Sequence, residues 1–149
     1  MQRGSDPDAV RDAGDCVVIR GSDVEAGVTG LAYFVGISHE TAGARRLCLQ
    51  LVRVPPGGRA KAHAHRDHET AVYVLEGEVV TWYGERLAQH MVTRAGDFGF
   101  IPPGVPHVPV NYGDVEAVAV IARSDPNAQE TVVARPDLDG LSHLDHPPV

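Results

Sequence analysis

Short runs of strand-forming residues, each closed by glycine or proline, follow one another from residue 16 to residue 123 and leave little room for helix. The runs are CVVIR (16–20), GLAYFVGI (30–37), RRLCLQLVRV (45–54), TAVYVLEGEVVTWYGE (70–85), RLAQHMVT (86–93), DFGFIP (97–102) and VEAVAVIAR (115–123). The 70–85 run reads as two strands joined at Glu76-Gly77. RLAQHMVT is ambiguous by itself and is read as a strand because it lies between two turns. PPGG at 55–58, Ala95-Gly96-Asp97, PPGVP at 102–106 and the turn at 111–114 supply the punctuation. Many short strands at near-regular spacing predict an all-β barrel or jelly-roll sandwich. A length of 149 residues predicts one domain. The barrel is expected over 15–123, with residues 1–14 as a loose arm. Residues 124–149 are expected as a partly packed tail, with TVVARP (131–136) along the barrel wall and the last ten residues frayed.

The net charge of −7 argues against a nucleic-acid backbone or an anionic membrane surface as partner. The N-terminal residues lack the apolar stretch of a secretory signal, and no apolar run approaches a spanning length, which predicts a cytoplasmic protein. Cys16 and Cys48, both in apolar runs, are expected to be buried free thiols.

Histidine placement carries the chemistry. His63 and His65 are two residues apart, so in an extended chain both rings leave the same face and can converge on one ion. Glu69 follows four residues later, with His68 beside it. Imidazole with carboxylate suits borderline metals such as zinc, iron, manganese or nickel. Residues 96–111, GDFGFIPPGVPHVPVN, form a second box: a glycine, five residues, Pro-x-Gly, two residues, His107, three residues and Asn111.

This second box resembles the second motif of the cupin superfamily. Gly57 or Gly58, His63, His65, Glu69 and Gly77 approach the first, and the resemblance covers about residues 45–123. It implies a single cupin barrel, a double-stranded β-helix. His63, His65, Glu69 and His107 would point inward to hold one divalent metal. Water would complete the shell and leave positions open to substrate. One departure concerns the acidic ligand: the family has six residues between glutamate and glycine, whereas seven separate Glu69 from Gly77. Counting back from Gly77 puts Thr70 in that slot, and counting forward from His65 puts Glu69 there. A one-residue bulge before Tyr73 would keep Glu69 inside. If His68 turned inward instead, the site would hold four histidines and Glu69 would either support a ligand from behind or act as a base.

Leu47, Leu49, Leu51, Val72, Val74, Trp82, Phe98, Phe100, Val118 and Val120 are the expected inward residues, making an apolar cavity over the metal. A small, largely apolar organic substrate follows. The first reading is an aldol-type cyclase of an aromatic polyketide, by likeness to small cupin cyclases, with Glu69, His68 or a metal-bound hydroxide taking the proton. The alternatives are a metal-dependent dioxygenase of an aromatic or chelating substrate and a non-catalytic small-molecule binder. A sugar-phosphate isomerase ranks lower, because only Lys61 and Arg66 lie near the histidines in sequence. Family likeness also implies a homodimer. His39, His90, His143 and His146 are expected at the surface, and Asn111 is expected to support a turn.

Overall fold

The computed structural model describes residues 14–20, 25–26, 29–127 and 132–149. Most of the expected N-terminal arm lies outside the described residues.

Eleven strands are described: β1 (Glu25–Ala26), β2 (Ala32–Ile37), β3 (Cys48–Val54), β4 (His63–His65), β5 (Thr70–Glu76), β6 (Glu78–Tyr83), β7 (Gln89–Arg94), β8 (Phe98–Ile101), β9 (His107–Val110), β10 (Ala117–Arg123) and β11 (Val132–Ala134). They form two antiparallel sheets, ordered β1-β2-β3-β10-β5-β8 and β11-β4-β9-β6-β7. The fold is all-β, a single jelly-roll barrel, as the punctuated strand pattern requires. One helical turn, His39–Ala42, is set by a capping box at Ser38.

Several local expectations are corrected. Residues 16–20 form no strand, and Cys16 is exposed, whereas Cys48 is buried and both thiols are free. Glu76 and Glu78 flank no hairpin: β5 and β6 lie in different sheets, and the chain crosses between them at Gly77. Gly77 has φ +76°, and a Cβ there would sit 2.8 Å from the Glu116 carbonyl oxygen, so glycine is required twice over.

The tail is packed as far as residue 145, while Val149 at its end is fully exposed. Residues 136–145, in two 3₁₀ turns, cover the outer face of the five-stranded sheet. Leu138 and Leu144 pack there with Ala62, Val80, Trp82 and Val108. The Trp82 indole donates to the Tyr112 hydroxyl at 2.8 Å, and that hydroxyl donates to the Leu144 carbonyl at 2.6 Å. Trp82 therefore faces the tail and not the barrel interior. TVVARP does run along the wall, with β11 pairing β4 from Val132 to Ala134; Thr131 lies outside the described residues.

Between the sheets sits the main core, with Val52, Val54, Val74, Val79, Ala119 and Ile121 among its members. On β3 the interior face is Cys48, Gln50, Val52 and Val54, while Leu47 and Leu49 are exposed. Phe98 and Phe100 are also exposed, at 81% and 54%. On β10, Ala119 and Ile121 line the interior in place of Val118 and Val120. These inversions share a cause: the six-stranded sheet is apolar on both faces, so alternation carries no contrast from which to read the inner one.

Candidate metal centre

His63 and His65 leave β4 on the interior side, and His107 opens β9 directly opposite His63 in the sheet register. Pro102, Pro103 and Pro106 precede it and stiffen the approach. All three rings are buried, and one ligating atom from each lies within 4.8 Å of the others. Ring centroids are 4.3 Å apart for His63 and His107, 5.1 Å for His63 and His65, and 5.4 Å for His65 and His107.

Backbone carbonyls set two of the tautomers. His63 Nδ1 donates to the Lys61 carbonyl at 2.7 Å, and His107 Nδ1 donates to the Val105 carbonyl at 2.9 Å. In a neutral ring this leaves each Nε2 as a lone-pair donor, the usual arrangement behind a metal-binding imidazole. Neither nitrogen of His65 has a hydrogen-bond partner among the described residues, although the residue is 3% exposed. A buried polar ring with no partner is costly unless something accepts its lone pair, and a metal ion satisfies that need.

Burial is the largest influence on all three rings, pushing His63 down to about 4, His65 to about 2 and His107 to about 3. The Arg123 guanidinium lowers each of them further. At neutral pH the group is therefore uncharged, which is the protonation state metal binding needs.

The structure does not bring Glu69 into this group. Glu69 is exposed; its backbone N–H donates to Ser124 Oγ at 3.0 Å, and Ser124 N–H returns a bond to its carbonyl. No bulge precedes Tyr73: β5 pairs β8 regularly from Thr70 to Tyr73. The irregularity falls later, at Leu75, where Val118 pairs Glu76 and Ala119 pairs Val74. Thr70 and Val72 consequently face inward, and Glu69 and Ala71 outward. The slot counted back from Gly77 belongs to Thr70, whose buried hydroxyl has no partner among the described residues.

His68 is buried instead. Its ring lies 4.7 Å from that of His65, and its Nδ1 faces the Asp125 carboxylate at 3.9 Å. Burial lowers its pKa, Arg123 lowers it further, and Asp125 opposes both.

Above the histidines is a cavity of about 60 Å³, walled by Val52, Val72, Val79, Ala119 and Ile121. Among the described residues its polar lining is Tyr33, His63, His107, Thr70, Thr81, Thr93 and Arg123, none of them acidic. A second hollow of about 240 Å³, bounded by Tyr83, Phe100, Pro102 and Val105, shares Thr81, Met91 and Ile101 with the first.

Sequence reasoning missed Arg123. It ends β10, is 5% exposed, and donates from Nη1 to Gln50 Oε1 at 3.3 Å. Its signal was strand parity, since it continues the inward series of Ala119 and Ile121. His39, His90, His143 and His146 are exposed as expected. Asn111 is a buried turn support, bonded to the Val54 and Val115 carbonyls and to Gly113 N–H.

Residues 50–122 match the cupin domain family. No protein of curated function matches the sequence. Among solved structures, the chain is similar to an oxalate decarboxylase from Lactobacillus farciminis in a formate complex, at 22% identity and TM-score 0.63. That match covers 78% of this chain but 33% of the decarboxylase, so the chain spans about a third of that protein's length. A cupin 2 conserved barrel domain protein from Salinispora arenicola matches at 19% identity and TM-score 0.62, covering 74% of this chain and 91% of the other. TT1209 from Thermus thermophilus matches at 25% identity and TM-score 0.56, covering 68% and 89%. With the family's domain over residues 50–122, its barrel, and three histidines brought together from its two motifs, the chain belongs to the cupin superfamily.

Proposed function

We propose that this cupin is a metal-dependent enzyme acting on a small organic molecule, with one divalent transition ion held by His63, His65 and His107. The observation that carries the reading is His65, grouped with His63 and His107, buried, neutral and without a partner for either ring nitrogen among the described residues. Three protein ligands leave coordination positions for substrate, the pattern of catalytic sites. An ion held there would supply Lewis-acid polarisation of a substrate carbonyl. His63 and His107, each fixed by a backbone carbonyl, keep their Nε2 atoms aimed at a common point. His68 accepts the proton removed beside that carbonyl: it is neutral, next to the group, and Asp125 stabilises the imidazolium that forms. Glu69 has neither role, because its side chain is outside the cavity.

An aldol-type ring closure of an aromatic polyketide is the first chemistry we assign to this arrangement, with the apolar walls holding the folded chain of the substrate. Oxygenation of a chelating substrate is the second reading, and the uncharged all-histidine group favours it. Elemental analysis with oxygen-uptake measurement separates them. Redox-silent zinc without oxygen consumption supports ring closure, and iron, manganese or nickel with consumption supports oxygenation. Protein purified and reconstituted without any retained metal would refute both and leave a binding module. His63→Ala and His107→Ala are expected to lose the metal while circular dichroism keeps the β signature.

We also assign a second copy of the chain to the outer face of the six-stranded sheet, where Leu47, Leu49, Phe98 and Phe100 are exposed. No helix among the described residues is long and apolar enough to cross a membrane. Two free thiols and no disulfide among those residues support a cytoplasmic location.

A further inference from the structure

One peptide group stands directly behind His63. It joins Lys61 to Ala62. Its carbonyl oxygen accepts from His63 Nδ1 at 2.7 Å, and its N–H donates to Asp139 Oδ1 at 2.6 Å. Carboxylate, peptide and imidazole therefore form one hydrogen-bonded chain. A peptide unit is planar, so an acceptor that fixes its N–H also fixes the direction of its carbonyl. That carbonyl sets the edge of the His63 ring. Hydrogen bonds in series polarise one another, so a carboxylate at one end of the peptide makes the carbonyl at the other end a stronger acceptor.

Asp139 is itself held in place. It follows the turn Pro136–Leu138, and its carbonyl accepts from Arg59 Nη2 at 3.3 Å. Arg59 Nη1 meets Asp145 Oδ1 at 3.2 Å, which ties both turns of the tail to the same side chain. Leu138, the preceding residue, is buried in one cluster with Ala62. Ala62 is gripped a second time, because its carbonyl accepts from Arg135 N–H at 2.9 Å.

β4 depends on this segment. The strand has three residues, and its register with β9 is a single pair, His63 with His107. Gly104 N–H adds one bond, to the His65 carbonyl at 2.7 Å. Against β11 all three residues are paired: His63 with Ala134, Ala64 with Val133 and His65 with Val132. Residues 132–145 lie beyond 50–122, the stretch that matches the family's domain. Two of the three clustered histidines thus sit on a strand framed largely by the tail.

We propose that Asp139 is a positioning residue of the metal centre, acting on His63 through the Lys61–Ala62 peptide. A carboxylate bonded directly to a ligating imidazole fixes its tautomer and ring orientation and raises its basicity. Here an intervening peptide carries the same influence, and Asp139 touches neither metal nor substrate. The inference rests on the metal-dependent reading of the three histidines.

Zinc is the probe. Competition with a chelator measures its affinity, and nitrogen NMR of metal-free protein reads the His63 tautomer. The wild type is expected to hold His63 as the Nδ1–H form; an Nε2–H form there overturns the proposal, and this measurement needs no variant to fold. Asp139→Ala is expected to weaken zinc binding by about ten- to hundredfold and to give a mixture of tautomers. Asp139→Asn keeps a side-chain oxygen for Ala62 N–H and is expected to restore most of the affinity. Leu144→Ala loosens the tail without removing either Ala62 bond, and it is expected to keep the wild-type affinity. Unchanged zinc affinity in Asp139→Ala overturns the proposal, as does an equal loss in Leu144→Ala, which would mark the effect as one of general stability. Wild-type protein that binds no divalent ion refutes the metal reading. A His63 tautomer that still depends on Asp139 would then support the positioning role, and one that does not would refute both.

Discussion

At the scale of single residues, the centre is three uncharged rings in a place where charge is expensive. Free histidine titrates near 6.5, and burial holds His63 at about 4 and His107 at about 3. Their folded values lie below the unfolded ones, so the unfolded chain takes up protons first as pH falls. Stability is therefore unaffected above about 6.5 and declines as pH drops from there towards 4. The melting temperature of metal-free protein should fall between pH 7.5 and pH 5 beyond what a His63→Gln, His107→Gln double variant shows; parallel curves would contradict the assignment. A second test divides neighbours: Glu69→Ala should leave metal content and turnover intact, whereas His68→Ala should keep the metal and lose turnover. Loss of metal in Glu69→Ala would restore the acidic ligand that the strand register removes. The three histidines were legible in the sequence because the i, i+2 spacing and the proline-stiffened second box depend only on local geometry. The choice between Glu69 and His68 was not, because it turns on whether an extra residue is absorbed before Tyr73 or at Leu75, and pairing partners decide that. Arg123 was hidden for a related reason: with Val118 and Val120 read as inward, strand parity put residue 123 on the outer face.

At the scale of elements, the tail behaves as an added layer on the outer face of the five-stranded sheet. Leu144 is 1% exposed and wedged beside Trp82, with Tyr112 bonded to both of their backbone or ring groups. Leu144→Ala should cost about 2–5 kcal/mol in chemical denaturation, the usual range for a buried leucine truncated without collapse. Tryptophan emission should shift to the red at the same time, since Trp82 is the single indole of the chain. An unshifted spectrum would mean the tail does not cover it. Gly77→Ala should be comparably damaging, because the added methyl meets the Glu116 carbonyl at 2.8 Å in a left-handed backbone. Strands β3, β5, β6, β8 and β10 were visible as apolar runs between turns. The packing of 136–145 was not, because short 3₁₀ turns rich in proline and aspartate have no periodicity to read.

At the scale of the molecule, the two sheets differ in how their outer faces are used. One is covered by the chain's own tail; the other presents exposed leucines and phenylalanines. Leu49→Glu with Phe98→Ser should turn a dimer into a monomer in light scattering while leaving metal content unchanged, and a wild type that is already monomeric at micromolar concentration would rule out the second copy. Barrel architecture was readable from strand count and punctuation alone, whereas the inward face of β3 was not, because both sides of that sheet are greasy. Gly99 has its own consequence. It lies behind Met91, one of the residues the two hollows share, and a Cβ there would sit 3.4 Å from the Met91 methyl and 3.5 Å from that of Thr93, both ordinary contact distances. Alanine is therefore accommodated, whereas a larger side chain would have to displace the unbranched, yielding thioether. Residue 99 is thus a place where the shape of the shared wall can change while the metal-binding histidines stay the same.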